Sequence, residues 1–154
     1  MRFSFIVFCL LLTGPALAAD WVADPDQSAL TFTARQQDAD FQGEFENFTA
    51  EISFDPADPE NTRISALIEL GSVETQNNDR DTTLATPEWF DLGNWAESTY
   101  KATSAVATDD GWSAPGELSL KGVTLPVELA FQFTEDGDSA SFTGTALIKR
   151  LDFN

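Results

Sequence analysis

From Ser28 onward, apolar and polar positions alternate with a period of two far more often than with the 3.6-residue period of a helix, so the chain is predicted to be mostly β. Ile64, Ala66, Ile68 and Leu70 alternate with Arg63, Ser65, Leu67 and Glu69, which gives one strand an apolar face and a mixed face. Leu125, Val127, Leu129, Phe131 and Phe133 share one parity, while Pro126, Glu128, Ala130 and Gln132 share the other. That run is long enough for a full barrel strand, and a helix would scatter the same residues around its circumference. Further strands are predicted over 29–34, 43–48, 50–54, 99–106, 116–120 and 139–148. Asp109-Asp110-Gly111 and Glu135-Asp136-Gly137-Asp138 each place a glycine among short polar residues, where a hairpin can take positive φ. Asp55-Pro56-Ala57-Asp58-Pro59 reads as a turn, because prolines cannot donate to a ladder.

One stretch breaks the strand rhythm, from Thr75 to Trp95. Asn78 or Asp79 can cap a short helical turn that runs to about Leu84, and Pro87 permits a second turn around Trp89 and Phe90. An excursion of this length with several apolar side chains either plugs a barrel or covers a functional mouth.

Residues 1–18 carry a basic Arg2, an apolar run from Phe3 to Leu12 and the small-residue site Ala16-Leu17-Ala18, the layout of a secretory signal peptide. Cleavage is predicted after Ala18, leaving one domain over 19–154 and an exported, periplasmic protein. Cys9 lies inside the apolar run, so no lipid-anchored cysteine is expected at the mature N-terminus. Removing the leader also removes Arg2 and leaves 7 basic against 26 acidic residues. Such a surface repels phosphate backbones and anionic lipid, which argues against nucleic-acid partners, against peripheral attachment to a negative membrane and against stable membrane insertion. No later apolar stretch approaches the ~20 residues that span a bilayer.

The 19–154 portion has neither His nor Cys. That excludes Ser-His-Asp and Cys-His catalysis, thiol redox chemistry and zinc sites with nitrogen or sulfur ligands, and leaves carboxylates as the catalytic resource. Paired carboxylates can cleave glycosides, yet a chain with 26 acids contains pairs whatever it does. The acidic turns lack the ligand spacing of a calcium loop and read as solvated turns. Asn77, Asn78, Asp79 and Asp81 around Arg80 read as helix capping with an Arg80 ion pair, with a metal site as the minority reading.

The aromatic content is the remaining constellation. Phe32, Phe41, Phe45, Phe48, Phe54, Phe131, Phe133 and Phe142 fall in or beside strands, with Trp89, Phe90 and Trp95 in the excursion. Most belong to a core. A barrel of about eight strands is only just wide enough to be filled by side chains or to hold one small ligand. Ala66, Ala102, Ala140, Gly144 and Ala146 fall at apolar parity beside bulky neighbours and leave room for an elongated apolar channel.

These residues resemble the YceI family of exported bacterial proteins, whose lipocalin-like barrel binds polyisoprenoids and related long-chain lipids. Trp21 to Phe32 is similar to the family's first strand, and Phe41-Gln42-Gly43-Glu44-Phe45 with Ile52-Ser53-Phe54-Asp55 to the next pair. More distinctive are Ser72-Val73-Glu74-Thr75 leading through Asn78-Asp79-Arg80-Asp81 and Leu84 to Trp89-Phe90-Asp91, and the block from Gly116 to Val127. Two departures stand out. Many members place histidines around the first strand, where this chain has Gln27 and Gln36 or Gln37. Lys149 to Asn154 is similar to a motif that the family follows with a glycine turn and another strand, so either the chain is a fragment or its barrel lacks a closing strand. An unpaired edge would invite aggregation or dimerisation.

The resemblance implies an all-β, antiparallel lipocalin-like barrel of about eight strands, with the last missing and a short helical excursion near 75–95. It implies a periplasmic carrier that shields a long apolar lipid such as a polyisoprenoid, an isoprenoid quinone or a fatty amide, with no cofactor, no metal and no catalysis. Each buried methylene contributes ~0.8 kcal/mol, so one isoprene unit supplies about 3–4 kcal/mol before ordering costs. Phe32, Phe45, Ile68, Ala102, Leu118, Leu120, Leu129, Phe131 and Phe142 are expected to contact the lipid tail. Leu84, Trp89, Phe90 and Leu92 are expected to form the lid or mouth, with Arg80 and Asp81 holding it in place. Two other classes remain: an exported stress-related barrel with a packed core and no lipid, and a carboxylate-based hydrolase.

Overall fold

The structure, a computed structural model, describes residues 2–11, 20–36 and 38–153. In chain order the strands are β1 (Arg2–Leu11), β2 (Asp20–Ala23), β3 (Ala29–Gln36), β4 (Ala39–Phe45), β5 (Phe48–Ser53), β6 (Arg63–Glu69) and β7 (Val73–Glu74). The helix α1 (Asn78–Leu84) follows, then β8 (Glu97–Ala102), β9 (Val106–Thr108), β10 (Gly111–Leu120), β11 (Val123–Asp136) and β12 (Ser139–Leu147). Among the described residues every strand pairing is antiparallel, as period-two alternation joined by short turns requires.

β1 pairs with β3 through residues 2–6 and with β2 through residues 9–11, so β2 and β3 are two halves of one bent stave. β4 and β5 form the next stave in the same way, β4 on β3 and β5 on β2. The ring then runs through β6, β8, β10, β11 and β12 and returns to β1. The architecture is the antiparallel barrel expected from the alternation.

Residues 2–11 lie between β12 and β3 and close the ring. They pair antiparallel with β12 over nine positions and with β3 over five. Two facing edges with unsatisfied N–H and C=O groups accept any strand-forming segment within reach, and this apolar run is one. The predicted cleavage site, Ala16-Leu17-Ala18, lies outside the described residues.

Two strands end where the alternation alone would continue them. The segment 43–48 breaks at Glu46 and Asn47 because their amides bond to Ser72, Glu46 N to its carbonyl at 3.1 Å and Asn47 N to its Oγ at 3.0 Å. The segment 99–106 breaks after Ala102 because Ala105 N donates to Pro59 O at 2.8 Å, drawing the chain toward the turn after β5. Gly111 and Gly137 take positive φ in the two acidic hairpins, at 137° and 63°.

The interior is divided along the barrel axis. At the end bearing the turns 54–62, 103–110 and 134–138, Phe54 meets Trp112, Phe131 and Phe133 edge-on at 4.9, 5.2 and 5.0 Å, Phe131 stacks on Phe142 at 4.8 Å, and Trp21 meets Phe133 at 6.0 Å. The opposite end is lined mainly by aliphatic side chains with Phe45 and Phe90, beside Phe32, Phe41 and Trp89, and is covered by residues 70–95.

Candidate functional site

Beneath residues 70–95 lies an apolar cavity of about 80 Å³. Its walls are the inward parity of five staves: Ile64, Ala66 and Ile68 on β6, Ser98 and Tyr100 on β8, Leu118 and Leu120 on β10, Val127 and Leu129 on β11, and Ala146 with the following Ile148 beside β12. Leu30 and Phe45 close the remaining side, and Leu70 and Phe90 form the roof. Ala66 and Ala146 make the space, since a larger residue at either position would project into it.

The two polar side chains in the wall are turned to the backbone. Ser98 Oγ donates to Ser119 O at 2.8 Å. Tyr100 Oη lies 3.0 Å from Ala114 O and 3.2 Å from Val127 O and shares its proton between them. Burial pushes the Tyr100 phenol well above its ordinary range, and the Glu128 charge adds to the effect, so the group stays neutral. A wall of this kind offers a guest apolar contact and shape but no acid, base or nucleophile.

The roof is built locally. Asn77 caps α1 by accepting from Arg80 N at 3.0 Å, one residue before the caps that the sequence predicts. Asp81 accepts from Thr75 N at 3.1 Å and Thr75 Oγ1 at 2.6 Å, tying the helix to the end of β7. Arg80 donates to Thr75 O at 3.3 Å and lies 4.6 Å over the Phe41 ring, a backbone and aromatic engagement in place of the expected ion pair. After the helix, Phe90 N bonds to Leu84 O and Leu92 N to Ala85 O, folding the segment back so that Phe90 faces the cavity and meets Phe45 at 5.7 Å.

Cations from two other elements fasten this roof. Lys121, in the β10–β11 hairpin, donates to Pro87 O at 2.7 Å. Arg150, just past β12, donates to Glu88 O and lies 4.3 Å over the Trp89 ring. Phe41 and Trp89 are 6.4 Å apart, so Arg80, Phe41, Trp89 and Arg150 form one row across the mouth. Glu88 is held below the usual carboxylate range by a backbone hydrogen bond and by the Thr86 hydroxyl.

Of the residues expected to contact a lipid tail, Phe45, Ile68, Leu118, Leu120 and Leu129 line this cavity. Phe32, Ala102, Phe131 and Phe142 are buried but line no part of it; Phe131 and Phe142 belong to the aromatic packing at the other end. Of the expected lid residues, Leu84 and Phe90 are buried, Phe90 reaches the cavity, and Trp89 and Leu92 are half-buried against the core. Arg80 and Asp81 lie outside the cavity and hold α1 in place. Sequence reasoning passed over Leu30, Ile64, Leu70, Tyr100, Val127 and Ile148 as wall residues, although Ile64 shares parity with Ile68, and Val127 with Leu129.

Residues 21–154 match the YceI-like domain. A UPF0312 protein of Ectopseudomonas mendocina is 29% identical over 161 residues, covering 98% of this chain and 84% of the relative. Among solved structures, a Campylobacter jejuni YceI protein is 26% identical with a TM-score of 0.61, covering 78% of this chain and 74% of that one. Burkholderia cenocepacia BcnA, 18% identical over 80% of this chain and 97% of its own, shares the fold at a TM-score of 0.65. With the barrel, its roofed apolar cavity and a domain match that covers nearly all of the chain, the protein belongs to the YceI family.

Proposed function

We propose that the protein is a non-enzymatic carrier that shields part of a long apolar lipid, such as a polyisoprenoid, an isoprenoid quinone or a fatty amide, in the cavity beneath residues 70–95. The observation that carries this reading is the cavity wall, apolar apart from the Ser98 and Tyr100 hydroxyls, which are turned to backbone carbonyls. Only an apolar guest gains there, since a polar one would give up water for a wall that offers it nothing. The YceI resemblance supports the same class of cargo. Residues 1–18 act as an export leader cleaved after Ala18, and the mature protein works in the periplasm. Cleavage withdraws β1 from between β3 and β12, whose edges then accept a further strand or a second copy of the chain.

The size of the cavity favours a second reading as well. Its 80 Å³ is well below the roughly 300–1,000 Å³ of ordinary ligand sites. On the carrier reading, a chain enters by displacing Phe90 and the roof. On the alternative, the protein is an exported barrel with a packed core and no lipid. Solvent extraction of protein purified from its native host, followed by mass spectrometry, separates them. A long-chain lipid at near-stoichiometric amount is expected, and protein that is repeatedly free of lipid would sink the carrier reading. N-terminal sequencing of the same preparation is expected to begin at Ala19.

A further inference from the structure

The free space in the barrel stops abruptly along its axis. On β11, Leu129 lines the cavity and Phe131, the next inward residue, does not. Phe131 stands opposite Trp112 on β10 and Gly144 on β12, stacks on Phe142 and meets Phe54 edge-on. Gly144 lets Phe142 reach up to the cavity wall, since a Cβ there would fall 3.0 Å from Leu129 Cδ1 and 3.1 Å from Phe142 Cε1. Ala102, Ala140 and Gly144, whose parity and small size could have continued the channel, are buried and line no part of the cavity. Tyr100 closes the floor from the other side. Its ring lies against Gly116, where a Cβ would fall 2.5 Å from Cζ, and its hydroxyl donates to Ala114 O and Val127 O. One ring therefore spans the staves of β8, β10 and β11.

From Ile64 to Ile68, at about 3.3 Å per residue on a stave tilted by about 40°, the lined wall measures roughly 10 Å along the axis, about two isoprene units or eight methylenes. We propose, resting on the carrier reading above, that Phe131 and the rings around it are a length stop. The barrel takes only the tail end of a long chain, to the depth of that wall, and leaves the rest of the chain, with any polar head, outside the roof. The tail enters first because a head group would lose its water to a wall whose hydroxyls are already engaged. The floor does not yield as the roof does, since Phe54, Phe131 and Phe142 are buried and their rings fix one another. It also stands apart from residues 2–11. β1 pairs with β2, β3 and β12, whereas Phe54 follows β5, and Trp112, Phe131 and Phe133 lie on β10 and β11. A carrier floored in this way recognises the end of a chain and not its length, so chains of different length bind alike once their ends fill the cavity.

A chain-length series tests this, with isoprenoid alcohols of one to four units competed against a fluorescent apolar probe, on the full chain and on residues 19–154. In both forms, affinity is expected to rise about a hundredfold from one unit to two and by less than about threefold from two units to four. Phe131→Ala is expected to move the levelling point to three units, which then bind about tenfold tighter than two. Phe131→Leu, a milder truncation, is expected to move it the same way by less. Leu118→Trp, which fills the cavity, is expected to weaken binding at every length. Thermal midpoints are read alongside, and if neither Phe131 variant folds, the wild-type series decides alone. Affinity that keeps climbing through four units would overturn the stop and leave the carrier reading standing. Levelling that stays at two units in folded Phe131→Ala would overturn it as well, and levelling seen only in the full chain would overturn it in favour of residues 2–11. No binding at any length, or binding that Leu118→Trp leaves untouched, would remove the carrier reading and the stop together.

Discussion

The two ends of the barrel share their staves, and those staves do different work at each end. On β11, Leu129 lines the aliphatic cavity, while Phe131, two residues on and pointing to the same face, stacks on Phe142 and meets Phe54 edge-on. The aromatic end is filled by rings with centroids 4.8 to 5.2 Å apart, whereas at the roofed end Phe32, Phe41, Phe45, Phe90 and Trp89 meet at 5.4 to 6.4 Å and the aliphatic chains and two alanines beside them leave a cavity. Large planar groups at edge-to-face distances leave little free volume and fix one another, so stability concentrates at that end. The roofed end closes through a separate segment whose fastenings, Lys121 to Pro87 and Arg150 to Glu88 and Trp89, are few and at the surface.

The comparison is broken most directly at its centre of packing. Phe54→Ala removes the ring shared by three edge contacts and is expected to cost about 3–5 kcal/mol in chemical denaturation. Leu120→Ala in the cavity wall is expected to cost about 2 kcal/mol, the low end for such truncations, because its neighbours already border free space. Equal losses at the two sites would mean that the two ends are packed alike. Leu118→Trp sharpens the difference further. On the carrier reading, it is expected to leave the denaturation midpoint nearly unchanged and to displace extractable lipid. A solid core would instead lose about 1–3 kcal/mol to overpacking.

Smaller effects are expected at the fastenings. Arg150→Ala with Lys121→Ala removes surface contacts, so stability should fall by no more than about 1 kcal/mol. A fluorescent apolar probe is expected to enter and leave the cavity faster in this variant, and unchanged exchange rates would show that residues 85–95 do not gate it. The smallest effect is a titration. Tyr100 has its phenol raised by burial, so its contribution to stability is fully present below the unfolded value of about 10 and is lost as pH rises above it. Tyr100 is the single tyrosine, so the tyrosinate absorbance band reports this group alone. The band is expected to appear only with unfolding, and Tyr100→Phe is expected to abolish the alkaline component of the stability curve.

How far the site was legible follows from these same residues. Parity along a strand tells inside from outside, and it did so for Ile68, Leu118, Leu120 and Leu129. Parity cannot tell depth along the barrel axis, because that depends on how far each stave is sheared against the next. Phe131 and Phe142 were therefore expected at the cavity and lie in the aromatic packing. The helical excursion was legible because a run of capping residues interrupts a period of two, and Asn77 capping α1 instead of Asn78 or Asp79 is a shift of one or two residues. The fastenings were not legible. Lys121 and Arg150 are distant in sequence from Pro87 to Trp89 and from each other, and meet that segment only once the separate elements are folded together, as Arg80 meets Phe41.

The sequence by itself determined the strand content, the antiparallel pairing and the roofed excursion, because backbone geometry ties alternation to a pleated strand and capping residues to a helix start. It determined too that 19–154 contains no histidine or thiol chemistry, since those residues are absent. Only the tertiary structure decided which inward residues surround free space and which fill it. Only there do Lys121 and Arg150 reach the backbone of Pro87 and Glu88, because contacts between distant segments depend on register and shear, which no local pattern encodes.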